Sequence, residues 1–160
     1  MAENGINKIE FSTFAEIEAD FIARVHHLVL CNCATIDTRQ RPRSRILHPI
    51  WEGKTGWVTT QKRSLKIKHL AANSYASLAY LAEPFKPVYV ECQAVWDGDL
   101  EHRQRIWALL RRTPEPLGFD PAITWGDVAD PNNGLLRLTP WRIELNDYTA
   151  TPPQIQVWRA

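Results

Sequence analysis

From Pro87 to Trp96 the side chains change character at every step: Val88, Val90, Cys92, Ala94 and Trp96 alternate with Tyr89, Glu91, Gln93 and Val95. A period of two is the mark of a strand with one face in a core, and it places Glu91 and Gln93 together on the other face. Shorter runs rich in β-branched residues surround it. His27–Ile36 reads as a buried strand, Asp37–Pro42 as a hairpin turn, and Arg43–Trp51 as a second strand with Pro49 at an edge or bulge. Glu52–Lys54 turns the chain into a strand over Thr55–Thr60, and Ala76–Leu81 precedes the alternating run. Gly134–Leu145 resumes strand character, split or bulged at Pro140, and Ile155–Ala160 forms a short terminal strand. These make about six strands joined by short links, strongly antiparallel. Long alternation of strand and helix is missing, which argues against a doubly wound sheet. A small β-barrel, wholly or partly closed, manages its edges best.

Three helices punctuate the strands. Phe14, Ile17, Phe21 and Val25 form one apolar stripe, with Thr13 and Glu16 at capping-box spacing. Ser64 is placed to cap a helix through Ala72, its hydroxyl holding a first-turn N–H. Asp99 opens a third to Arg112, with Leu100, Ile106, Trp107 and Leu110 on its buried side. Prolines at 114, 116, 121 and 131 make Thr113–Asn133 an excursion of little regular structure, either functional, interfacial or simple surface chain.

The 160 residues are read as one domain, large enough to hide roughly two-thirds of its unfolded surface. Apolar residues at 44% and charged residues at 23% are ordinary for a soluble globular chain. The start has no apolar stretch of the kind a secretory leader needs, and no apolar run reaches the length of a membrane span. Three cysteines suit no disulfide framework. The expectation is a cytoplasmic protein that associates with neither membrane nor nucleic acid.

A formal charge of +1 conceals an uneven distribution. Arg39–Lys68 carries nine basic side chains and a single acid, Glu52, a net +8; the rest, with ten basic and 17 acidic residues, is −7. Such a segment suggests a local anion site. Arg43 and Arg45 project from one face of their strand, and guanidinium forks suit phosphate; a solvated strand face is the other reading. Thr59-Thr60 end a strand, Ser64 opens a helix, and Lys66 lies in its first turn, where the helix dipole disfavours a cation. An anion held between that terminus and Lys66 would offset the conflict.

Other chemistry is not assembled. Five histidines give no metal-ligand spacing, and Cys31 and Cys33 read as core packing. No metal site, nucleophile elbow, paired-carboxylate site or triad is visible, and no catalytic residue can be named. Seven tryptophans are available for core, interface or ring stacking.

The ordered series R-P-R-S-R-I-L-H-P-I-W, a strand ending in Thr-Thr, S-L-K-I-K-H-L followed by Asn73, Y-A-S-L-A-Y-L, and L-R-L-T-P-W-R-I-E-L resembles the pyridoxamine-5'-phosphate-oxidase-like family of flavin-binding proteins. The resemblance implies a mainly β fold, an antiparallel six-stranded split β-barrel with short flanking helices. It implies flavin mononucleotide (FMN), or in one branch the deazaflavin F420, bound between the protomers of a homodimer. Arg43, Arg45 and Lys66 would hold the phosphate, with the backbone of Ile46 and Leu47 beneath the isoalloxazine. Thr59 and Thr60 would line the ribityl-phosphate path, Ser64, Leu65 and Lys66 would form the phosphate-binding turn and helix, and Gln93, Trp141 and Arg142 would approach the cofactor. Two cations of the true oxidases are replaced, by Ile50 and Leu65, which argues against pyridoxamine phosphate as substrate. The expected activity is an FMN-dependent oxidoreductase acting by hydride transfer on a small molecule. F420-dependent reduction and non-catalytic cofactor or haem-product binding are the alternatives, with Arg63 and Lys68 available to a longer polyanionic tail.

Overall fold

The computed structural model describes residues 5–160; residues 1–4, on which the reading of the chain's start partly rests, lie outside them. Nine strands form one continuous sheet: β1 (Asn7–Phe11), β2 (Cys31–Ile36), β3 (Pro42–Leu47), β4 (Ile50–Glu52), β5 (Thr55–Gln61), β6 (Tyr75–Tyr80), β7 (Val88–Asp97), β8 (Asn133–Asp147) and β9 (Gln154–Arg159). Four helices accompany them: α1 (Glu18–Leu28), α2 (Leu65–Ala72), α3 (Leu100–Arg112) and α4 (Ala122–Trp125).

The closed or split six-stranded barrel expected from sequence is not what forms. The strands run in the order β1-β9-β8-β7-β6-β2-β3, and β5 branches from β8 carrying β4 on its far side. No ladder joins β3 to β1 or to β4, so the sheet stays open. It is also mixed, because β1 pairs with β9 in parallel while the other ladders are antiparallel. The cause lies in two strands. At His48-Pro49 the chain leaves β3, and Ile50–Glu52 pairs with β5 instead, leaving β3 as an edge where a missing proline N–H costs nothing. The 15-residue β8 gives one edge to β7, while its other edge serves β5 over Asn133–Leu138 and β9 over Arg142–Asp147. Between those halves lies a bulge. Cys92 faces Pro140 and Glu91 faces Arg142, so Trp141 is the extra, unpaired residue.

The alternation in β7 appears as expected, with Val88, Val90, Cys92 and Ala94 buried. Trp96 departs from it at 36% exposed, its ring over Gly134, where an added Cβ would lie 1.6 Å from the indole. The apolar stripe of the first helix also forms. Ile17, Phe21 and Val25 are buried against the sheet, each worth about 1.5–3 kcal/mol of transfer free energy. That helix starts later and ends later than expected: Phe14–Glu16 is a 3-10 turn, and α1 runs through Leu28. Val29 then takes φ 61°, and the strand begins only at Cys31. The Glu16 carboxylate accepts from the Thr13 N–H at 2.8 Å and hydroxyl at 2.9 Å.

In α3 the Asp99 carboxylate accepts the Glu101 N–H at 2.8 Å. Ile106 and Leu110 are buried as expected, but Leu100 is 45% exposed because it precedes the turns that pack. These two residues join Ile50, Trp57 and Leu135 in a second core cluster, against which Leu117 and Phe119 pack. His48 Nε2–H donates to the Leu117 carbonyl at 2.7 Å. The proline-rich excursion is therefore pinned to the sheet by its own small core.

The three thiols are buried. Desolvation pushes Cys31 up to about 12, and burial raises Cys33 and Cys92 as well. A thiol reagent such as dithiobisnitrobenzoate at pH 8 should leave the native chain nearly unlabelled and titrate three thiols in denaturant. Fast labelling of the folded protein would contradict this core.

Candidate functional site

The basic residues of β3 and the start of α2 meet at the sheet edge. Arg43 and Arg45 lie opposite Thr35 and Cys33 of β2, and α2 packs across that end of β2. Between them is a cavity of about 300 Å³ lined by Arg43, Ser44, Arg45, Ser64, Leu65, Lys66 and His69. Five of the residues picked from sequence (Arg43, Arg45, Ser64, Leu65 and Lys66) thus share one cavity. Ser44 and His69 were missed. Ser44 sits inside the arginine repeat and His69 one turn beyond Lys66, so proximity in sequence was the only available signal.

The electrostatics of this cavity are unbalanced. Burial, and then the neighbouring Arg45 charge, lower Lys66 from the usual lysine range. No acidic residue occupies the first turn of α2, where unpaired N–H groups favour an anion. Ser64 does not cap the helix as expected. Its backbone carbonyl accepts the Ile67 N–H at 3.1 Å, while its buried Oγ has no partner among the described residues. A buried hydroxyl left unpaired costs roughly 1–3 kcal/mol, and native structures rarely leave one without a reason.

Arg45 is held by its neighbours. Its Nη1 donates to the Thr35 hydroxyl at 2.7 Å and to the Cys33 carbonyl at 3.4 Å. Thr35 is 2% exposed, and its Oγ lies 3.2 Å from Nδ1 of the buried His69. Since Arg45 can only donate, the Thr35 hydroxyl accepts from it, and the same hydroxyl links Arg45 to the His69 ring. Arg43 is less committed, its guanidinium 3.8 Å from Asp37. The Arg41 N–H and guanidinium, aided by the Arg39 N–H, hold Asp37 down to about 2.

The remaining candidates lie elsewhere. Ile46 is 64% exposed and points away from the cavity, whereas Leu47 enters the core. Thr59 and Thr60 face opposite sides of β5, Thr60 buried, and neither lines the cavity. Arg63 contributes to a separate polar cavity of about 220 Å³ with Gln61, Thr124, Trp125, Asp130 and Asn132. Gln93 and Trp141 open onto the outer face of the sheet. Arg142 is spoken for: it donates to Glu91 at 3.2 Å and also pairs with Glu144.

A cluster of two guanidiniums, one partly desolvated ammonium, a bare helix start and an orphaned hydroxyl fits a phosphate group. It offers no set of three metal-ligating side chains, and none occurs among the described residues. No helix among them is long and apolar enough to cross a membrane.

No protein-family model and no curated protein matches this sequence. Solved structures do. One is a Clostridium acetobutylicum protein related to general stress protein 26 of the pyridoxinephosphate oxidase family. It is 12% identical, with 88% of this chain and 94% of that chain covered at TM-score 0.67. Another is a pyridoxamine 5'-phosphate oxidase-related, FMN-binding protein of Nostoc punctiforme, 16% identical over 87% of each chain at TM-score 0.65. The haem storage protein HutZ of Vibrio cholerae is similar too, at 18% identity, 77% and 89% coverage and TM-score 0.60. At these identities the likeness establishes a shared fold.

Proposed function

We propose that this chain, built on the fold of the pyridoxamine-phosphate-oxidase-like proteins, is a single-domain FMN-dependent oxidoreductase. The carrying observation is the cavity in which Arg43, Arg45 and Lys66 converge on the start of α2 beside the unpartnered Ser64 hydroxyl. Arg45, braced by Thr35, would grip the phosphate. Lys66 would neutralise it, and Ser64 Oγ would find in it the partner it lacks. A bound flavin supplies hydride chemistry, while the protein fixes its phosphate and shields the ring. The fold similarity to FMN-binding structures supports this reading.

A second copy would complete the enclosure. Leu65, 63% exposed, leaves an apolar side chain at the cationic cavity, and a homodimer would cover it. A second reading, binding without catalysis, is favoured by the similarity to a haem storage protein.

Folded protein titrated separately with FMN and F420 should quench the fluorescence of FMN saturably at micromolar concentration or below. Light scattering should give about twice 18.4 kDa. Quenching of F420 alone would reassign the cofactor, and binding of neither would remove the reading. A stable monomer would remove the dimer. Loaded protein that never exchanges hydride with nicotinamide reductants would favour the binding role.

A further inference from the structure

The polar cavity of about 220 Å³ at the β5–α2 turn takes no part in the function proposed above. It lies where the end of β5 meets the last stretch of the proline-rich excursion. Gln61 pairs with Asn133, and the Lys62 N–H donates to the Asn132 carbonyl at 3.0 Å. Gln61 and Arg63 come from the turn, Thr124 and Trp125 from α4, and Asp130 and Asn132 from the loop before β8. That loop is fixed by its own hydrogen bonds. Asp130 Oδ1 accepts the Asn132 N–H at 2.7 Å, the Asp130 N–H donates to the Asp127 carbonyl at 3.1 Å, and the Asn133 side chain donates to the Val128 carbonyl at 3.0 Å.

Every lining side chain carries a hydrogen-bonding group, and three of those groups are unused. Among the described residues the Arg63 guanidinium makes no ion pair or hydrogen bond, and Asp130 Oδ2 accepts nothing. The buried Trp125 Nε1–H has no partner among them either, and native structures rarely leave such a donor without a reason. A cation and an anion thus line one cavity without pairing with each other.

These opposite charges select the ligand. A simple anion would gain Arg63 and be opposed by Asp130, a simple cation would meet the reverse, and Asp130 would repel a polyanionic tail. A molecule carrying both charges satisfies both walls, since a guanidinium fork suits a carboxylate and a carboxylate accepts from an ammonium. The volume is the share of roughly seven waters at about 30 Å³ each, which suits a small amino acid and is too little for a nucleotide.

We infer that this cavity binds a small zwitterion, a free α-amino acid, with its carboxylate on Arg63 and its ammonium on Asp130 Oδ2. Gln61, Thr124 and Asn132 serve its remaining polar atoms. All six lining residues belong to one chain and none lines the cationic cavity, so each protomer of the proposed dimer carries its own site.

The test is an NMR titration of the full chain, with and without FMN, using L-serine, 3-hydroxypropionate and ethanolammonium. The last two each lack one of serine's charges. Serine should bind saturably, one per chain, and shift an indole N–H signal that is missing in Trp125→Phe. It should bind at least tenfold more tightly than either analogue. Asp130→Asn, which keeps the Oδ1 acceptor of the loop, should erase the preference over 3-hydroxypropionate. Arg63→Gln should erase the preference over ethanolammonium. Glu115→Gln, on an exposed residue of the excursion outside the cavity, should change neither. Equal affinity for serine and an analogue, unchanged selectivity in either cavity variant, or no saturable shift with folded protein would each overturn the site. FMN quenching is read separately, so either site can fail without the other.

Discussion

Lys66→Ala should lower FMN affinity tenfold or more while leaving the folding transition unchanged or slightly raised. A charge-assisted hydrogen bond in a favourable site contributes about 1.5–3 kcal/mol, which is at least a factor of ten in the dissociation constant. Folding should not suffer, because Lys66 is partly desolvated beside Arg45 and its removal relieves both burdens. Lys54→Ala is the matched control. It also deletes one positive charge, but Lys54 sits in the β4–β5 turn, 5.9 Å from the Trp158 ring centroid and outside the cavity. Equal losses in the two variants, both fading with salt, would reduce the cavity to part of a diffuse basic patch.

Gly118→Ala should destabilise the fold by at least about 3 kcal/mol, at the upper end of overpacking effects. A Cβ at this position would lie 1.8 Å from the Thr113 carbonyl oxygen and 2.6 Å from that of Leu110. Both are backbone atoms at the end of α3, so no side chain can move aside. The Leu110 carbonyl also accepts the Phe119 N–H at 3.1 Å, and shifting it would pull Phe119 from the second core cluster. Thermal unfolding should occur roughly 6–12 °C lower, at about 2–4 °C per kcal/mol for a chain of this size. Gly98→Ala, whose Cβ would meet nothing within 4 Å, should stay near wild type. If the two variants melted together, the excursion would not be anchored as described.

The contrast between these positions shows what could be read before the fold was known. Alternation in Val88–Trp96 and the stripe of Ile17, Phe21 and Val25 are local patterns. Burial on one face of one element is enough to impose them, so strand and helix were legible. The Arg43–Arg45 and Ser64–Lys66 sets were legible as concentrated positive charge for the same reason, since a lysine in a helix's first turn is a local conflict. Which residues joined them was not. His69 enters the cavity through Thr35, a contact 34 positions away, and Arg142 pairs with Glu91 of another strand.

Sheet closure was likewise beyond the sequence. Asn7–Phe11 is a strand only because β9 offers it a parallel edge, and nothing in five residues announces a distant partner. Pro49 signalled an edge, but whether the chain beyond it would rejoin β3 or pair with β5 depended on which edge of β8 was free. Local periodicity determined the elements and the charge of the cationic cavity. Pairing between strands far apart in sequence decided that the sheet stays open, that Trp141 faces outwards from a bulge, and that Ser64 keeps an unpartnered hydroxyl, because each depends on contacts the chain makes only after it has folded.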